Sequence, residues 1–174
     1  MRKALFLPFA ALLLVATLLL SGCAGYHVGP VKPTYLKKVN TIAVPTFRNE
    51  TLVPRLEVMT ANCVIRQFQD DGTYQIGTTD NADAILEGTV RSIDRNAARS
   101  LVGNVLQTTE FELTMTIDFV LKDRVTGKEL ARRSASGSTT FFVGGDVQQD
   151  EQQALPLAAQ KAAVEIVNYL SEGW

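Results

Sequence analysis

Histidine is almost missing from this chain: His27 is the only one in 174 residues, and cysteine occurs only at Cys23 and Cys63. A Ser-His-Asp or Cys-His centre would have to be built on that one imidazole. No His-Glu-x-x-His, Cys-x-x-Cys or phosphate-loop pattern occurs, so zinc and nucleotide sites lack their usual ligands. A basic excess is missing too. Lys and Arg number 17 against 18 Asp and Glu, a net charge of −1, whereas a nucleic-acid binder needs a basic patch or stripe. Internal repeats and low-complexity tracts are also absent. These gaps point away from catalysis, metal chemistry and nucleic acid, and toward a binding or structural role without a cofactor.

One long uncharged run is present. Arg2 and Lys3 are followed by residues 4–20 without a charge, the basic and apolar regions of a secretory signal peptide. A membrane-spanning helix needs ~20 predominantly apolar residues, and Ser21-Gly22 at the end of this run favour processing instead. Leu20-Ser21-Gly22-Cys23 resembles the bacterial lipobox. That resemblance implies cleavage before Cys23 and lipidation of its thiol and new amino terminus, the covalent N-terminal lipid being the only group attached. Such a lipid anchors a chain to a membrane that the chain does not span. Ala24 stands where an Asp would favour inner-membrane retention, so outer-membrane delivery is expected. Removal of residues 1–22 leaves 152 residues, enough for one domain with a real core. Only Cys63 then keeps a thiol, which excludes an intramolecular disulfide, and His27 lies four residues beyond the anchor, a poor place to hold a base.

Residues 23–40 contain Gly25, Gly29, Pro30 and Pro33 without a clear period and read as an extended tether. Residues 41–47 form a short strand in which Pro45 suggests an edge or bulge. Asn49 or Thr51 can cap a helix carrying Leu52, Leu56, Met59, Cys63 or Val64, and Phe68 at helical spacing, with Asp70-Asp71-Gly72 as its stop. Cys63 reads as a small core residue on that helix. A short strand at 74–76 and a longer one at 84–93 follow. Over 111–121, Phe111, Leu113, Met115, Ile117, Phe119 and Leu121 alternate with mostly polar residues, the pattern of a strand with one buried face. Val125-Thr126-Gly127-Lys128 turns the chain into a strand over 129–143 that is rich in Ser, Thr, Ala and Gly. An Ala-rich amphipathic helix occupies 150–170, with Pro156 starting it near Ala154 or kinking it there. The expected fold class is α+β: a two-layer sandwich in which a largely antiparallel four- to five-stranded sheet carries two helices on one face, all within one domain over 41–174.

Candidate chemistry is thin. Asp70-Asp71 before a glycine reads as a turn rather than a carboxylate pair, and Gly144-Gly145 is a weak phosphate signal. The polar sheet face bearing Glu112, Thr114, Thr116 and Asp118 suits either solvent or a polar partner.

Several segments, taken in order, resemble the LPS-assembly lipoprotein (LptE) family. Gly22-Cys23-Ala24-Gly25-Tyr26-His27-Val28 is similar to the family's mature start. Residues 42–51, Ile-Ala-Val-Pro-Thr-Phe-Arg-Asn-Glu-Thr, are similar to its first strand and helix entry. Residues 106–116, Leu-Gln-Thr-Thr-Glu-Phe-Glu-Leu-Thr-Met-Thr, are similar to its central hairpin strand, and Phe141-Phe142, Asp150-Glu151-Gln152 and the last helix complete the pattern. The resemblance implies a non-enzymatic outer-membrane lipoprotein that sits inside the LptD β-barrel, supports its assembly and helps deliver lipopolysaccharide to the outer leaflet. Family positions held to touch the glycolipid fall near Asn104 and Gln148, which are uncharged, so that role is not carried over to them. Arg95, Arg99, Arg132 and Arg133 are the basic candidates nearby for phosphorylated sugar. Ile42-Ala43-Val44 followed by Phe47 and Asn49 also resembles the opening strand of lipid-anchored periplasmic α/β proteins of the secretion-channel or cell-wall-synthase activator type, an alternative that stays open.

Overall fold

The structure is a computed structural model that describes residues 32–101, 104–142 and 147–173, the side chains of 99–109 excepted. The expected leader over residues 1–22, Cys23, His27 and Gly144-Gly145 lie outside the described residues. The elements run β1 (Thr41–Ala43), β2 (Arg48–Asn49), α1 (Leu56–Asp71), β3 (Gln75–Ile76), β4 (Ala84–Leu101), β5 (Asn104–Asp123), β6 (Glu129–Phe142) and α2 (Val147–Glu172). They build one six-stranded sheet in the order β3-β1-β4-β5-β6, with β2 also paired to β4, and both helices cover a single face. The expected α+β sandwich is present, with two refinements. The sheet is mixed, because β1–β3, β1–β4 and β2–β4 are parallel while β4–β5 and β5–β6 are antiparallel. Two of its strands, β2 and β3, are only two residues long.

The alternation in β5 buries Leu113, Met115, Ile117, Phe119 and Leu121 under the helices. From α1, Leu56, Val64 and Phe68 meet them, each 2% exposed or less. A fully buried side chain of this size contributes ~1.5–3 kcal/mol, so this layer holds the sheet to its helices. Gly72 ends α1 at φ 74, its N–H bonded to the Phe68 carbonyl at 3.0 Å, as a C-terminal glycine does. The other end differs from expectation. Asn49 and Thr51 do not cap α1; they knit the loop before it, Asn49 Oδ1 accepting from the Thr51 N–H and hydroxyl and Thr51 Oγ1 accepting from the Val53 N–H. The helix starts only at Leu56, after Arg55 at φ 66, which leaves Leu52 wholly in solvent.

Residues 32–40 belong to the packed body rather than to an extended tether. Thr34–Leu36 is a 3₁₀ turn, Leu36 and Val39 are buried, and Lys32 Nζ donates to the Val39 carbonyl at 2.8 Å. The β5–β6 turn falls where expected. The Asp123 carboxylate accepts the Val125 and Thr126 N–H groups, and Gly127 adopts φ 67.

α2 starts earlier than its apolar period suggested and runs unbroken through Pro156. Its stripe of Ala154, Ala158, Ala159, Ala162 and Ala163 is 3% exposed or less and faces the small residues Ala135 and Gly137 of β6. A Cβ added at Gly137 would lie 2.0 Å from the Ala158 carbonyl oxygen and 2.4 Å from the Ala162 nitrogen. Both are backbone atoms, which cannot turn aside. Gly137→Val will therefore lower the midpoint of urea unfolding by the equivalent of about 2–3 kcal/mol, the upper part of the overpacking range. Gly137→Ala will fall between it and the wild type.

Candidate functional site: the open face of the sheet

The face turned away from the helices is polar and paired within itself. Its geometry depends on a bulge in β4. Register passes from Val90↔Ile117 to Ser92↔Thr116 and skips Arg91, so Arg91 is the extra residue and the inward phase moves from even to odd positions beyond it. Arg91 projects onto the open face. Its Nε donates to Asp118 Oδ2 at 2.6 Å and its Nη1 to Glu50 Oε2 at 2.5 Å, while the Ser134 hydroxyl donates to Asp118 Oδ1 at 2.7 Å. Nearby, Lys122 Nζ meets Glu87 Oε2 at 2.7 Å and Arg132 grips the Glu129 carboxylate through both Nε and Nη2. Of these groups Arg91, Asp118, Lys122, Glu87 and Arg132, together with the connection Pro45-Thr46, border a shallow groove of about 390 Å³. Arg48 also lines it, held there by its parallel pairing opposite Thr89. It is exposed and makes no ion pair among the described residues. The groove thus has one unneutralised guanidinium in a network of matched charges, a surface able to accept a phosphate or carboxylate.

The four arginines singled out from sequence do not converge. Arg132 is on this open face. Arg133 is on the opposite face of β6, its guanidinium 4.8 Å from the centre of the Tyr169 ring. Arg95, past the bulge, turns to the helix side and meets the buried carboxylate of Glu151 at 3.1 Å. Arg99 pairs through its backbone position with Glu110, and its side chain lies outside the described residues. Sequence reasoning passed over Arg48, Arg91 and Lys122. Lys122 could have been found from the outward phase of β5. Arg91 required the bulge, and Arg48 the parallel β2–β4 pairing.

Other candidates resolve into structural roles. Asp71 accepts from the Thr73 N–H at 3.1 Å and the Ser171 hydroxyl at 2.9 Å, bracing the end of α1 against α2. Cys63 is half-buried between the helices, and burial pushes its thiol pKa up, only partly offset by Arg66. Among the described residues no helix is long and apolar enough to cross a membrane, and no group of three or more His, Cys, Asp or Glu residues is placed to hold a metal.

Fold and face together define an α+β module with one helix-covered side and one open, charge-paired side. The chain belongs to the LptE lipopolysaccharide-assembly family, whose model matches residues 39–170. No curated protein matches it. Among solved structures it is similar to the uncharacterized lipoprotein B of Nitrosomonas europaea, at 14% identity and TM-score 0.55, covering 86% of this chain and 92% of that one. It is similar to a minor lipoprotein of Acinetobacter baumannii at 16% identity and TM-score 0.53, covering 78% and 95%. The PelC dodecamer of Paraburkholderia phytofirmans gives 16% identity and TM-score 0.51, covering 83% and 94%. At these identities the likeness is one of fold.

Two measurements test the charge network. Hydrogen bonds from Arg91, and then from Ser134, hold Asp118 below the usual carboxylate range. A folded-state pKa below the unfolded one means that the unfolded chain binds more protons in the interval between them, so stability there rises with pH. Asp118 thus contributes fully above the unfolded value of ~3.9, and its contribution is lost as pH falls through the lower folded value. Asp118→Asn will flatten the loss of thermal stability below about pH 4, with the remaining slope carried by Asp83, Asp123 and Glu129, whose pKa values are also lowered. Separately, Arg95→Ala will strand the Glu151 carboxylate, whose side chain is 10% exposed against 51% for Arg95. Breaking a fully buried pair costs ~3–5 kcal/mol; solvent at Arg95 reduces this to about 1–2 kcal/mol. Adding Glu151→Gln to that variant will recover most of the loss in a urea titration.

Proposed function

We propose that this chain is a non-enzymatic, lipid-anchored subunit of the outer-membrane lipopolysaccharide translocon. In this reading Cys23 carries the lipid and the domain stands on the periplasmic side or within the lumen of the LptD β-barrel. There it assists assembly of the barrel and helps insert lipopolysaccharide into the outer leaflet. The family match over residues 39–170 carries the proposal, and the shape and surface of the domain support it. The β4–β5 hairpin, at ~3.3 Å per residue, is about 60 Å long, whereas five strands ~4.8 Å apart make a sheet only about 20–25 Å wide. Such a body fits lengthwise into a very large barrel, about 50 Å across for ~26 tilted strands. Barrel interiors are polar, which suits an open face of Ser, Thr and paired charges.

Within that function, we assign contact with the phosphorylated sugar of lipopolysaccharide to Arg48 and Arg132 in the groove, while Arg95 and Arg133 pack against Glu151 and Tyr169. A charge-assisted bond to phosphate is worth ~1.5–3 kcal/mol. Arg48→Glu will therefore weaken lipopolysaccharide binding at least about tenfold in a surface-capture assay, and Arg133→Glu will change it little. The broader test is purification of the tagged full-length protein from its native envelope in mild detergent. A single large outer-membrane β-barrel at equal stoichiometry is expected. Recovery of a ring of this chain alone, or of a peptidoglycan synthase, would instead favour the secretion-channel or synthase-activator alternative.

A further inference from the structure

β6 is the long edge of the sheet. β5 pairs along one side of its 14 residues, and among the described residues no strand pairs along the other. An open edge of this length is a template for strand addition. Two side chains of α2 occupy it. Glu165 Oε2 accepts the Ser136 N–H at 2.7 Å, and Lys161 Nζ donates to the Ser138 carbonyl at 2.6 Å.

The two contacts have matched spacing. Alternate residues of a strand turn their backbone groups to the same side, so the outward groups of Ser136 and Ser138 are consecutive along the edge. Lys161 and Glu165, four apart on a helix, project from one face of α2. The missing side chain of Gly137 lets α2 come close enough for both to reach. The clasped groups are those an incoming antiparallel strand would need first, at the centre of β6. With them occupied, only short stretches on either side are left open.

We propose that Lys161 and Glu165 form a displaceable clasp closing the β6 edge, and that the partner it holds off is a single extended strand rather than a whole second copy of this chain. The geometry of α2 separates these occupants. At Gly137 α2 lies directly on β6, and in a two-fold β6–β6 pair about Gly137 the partner's α2 would pass about 5 Å away at that point, the strand spacing. Helix axes need ~8–10 Å, so a whole copy is excluded and a lone strand is not. A strand with the sequence of β6, paired antiparallel about Gly137, sets Ser136 against Ser138, Ser134 against Thr140 and Arg132 against Phe142. No like charges oppose, so the clasp is the barrier that remains.

The test compares full-length wild type with Lys161→Ala/Glu165→Ala, using a fluorescent synthetic peptide of residues 129–142 as the probe. Anisotropy will show the double variant binding the peptide at least tenfold more tightly. Hydrogen exchange at the Ser136 amide will quicken in the free variant and slow again with peptide. Glu165→Gln, which keeps an acceptor for Ser136, will behave as the wild type, and circular dichroism will confirm that the variants are folded. Equal affinity in folded wild type and double variant, or no binding to either, would overturn the clasp. Concentration-dependent dimers of the double variant without peptide would overturn the choice of a lone strand.

Discussion

The close approach of α2 to β6 at Gly137 is the contact on which the arrangement rests. β6 presents Ala131, Ala135, Gly137 and Thr139 to the helix layer, side chains too small to form a core against ordinary apolar residues. Packing density must still reach that of a protein interior. A helix whose facing stripe is alanine meets that demand by moving its backbone inward. Contact between near-backbone surfaces replaces interdigitation of large side chains, and in such an interface one added methyl has nowhere to go. The larger side chains gather instead between α1 and the central strands, where Phe68 meets Tyr74 edge to face and the Tyr74 hydroxyl donates to the Leu170 carbonyl at 2.7 Å. That hydrogen bond ties the segment after α1 to the last turn of α2, so the two helices are locked to one another as well as to the sheet.

Given that packing, the bulge at Arg91 decides which chemistry reaches which side. Without an extra residue, the phase that buries Leu86 and Val90 would carry on through Ser92 and Asp94 and point them at the helices. With it, Ile93 lies opposite Met115, and Ser92 and Asp94 turn outward, where the Ser92 hydroxyl donates to Asp94. One inserted residue keeps acidic and hydroxyl groups out of the core and places a guanidinium between Asp118 and Glu50. It also sends Arg95 inward, where Glu151, one turn into α2, receives it.

Local pattern revealed the parts of the fold that are fixed locally. Strict alternation in β5 and the Val125 to Lys128 turn specified the hairpin, and Gly72 specified the end of α1. Both depend on neighbours within a few residues. Pairing partners far apart in sequence left no such mark. The parallel ladders of β1 and β2 on β4, and the reach of β4 to Leu101, come from long-range hydrogen bonds. The burial of Leu36 and Val39 was hidden because glycines and prolines before them suggested a tether, although the Lys32 contact and the Asp83 carboxylate at the Asn40 and Thr41 N–H groups fasten that segment to the sheet. The site was less legible than the fold for the same reason: a list of arginines carries no information about faces until bulge and pairing are known.

A face whose charges already satisfy each other has a particular binding character. Exposed ion pairs contribute only ~0–1 kcal/mol each, so an incoming polar group can replace one partner of a pair at small net cost. Attraction from such a surface is modest. Its selectivity is not, because a partner that leaves Asp118 or Glu87 unmatched in a closed interface loses more than a matched one gains. Arg48 breaks the balance at one position and gives the face a preferred spot for an anion. Rigid packing on the helix side, with Gly137 at its tightest point, holds these groups in register. The open side can therefore exchange partners without disturbing the core that positions it.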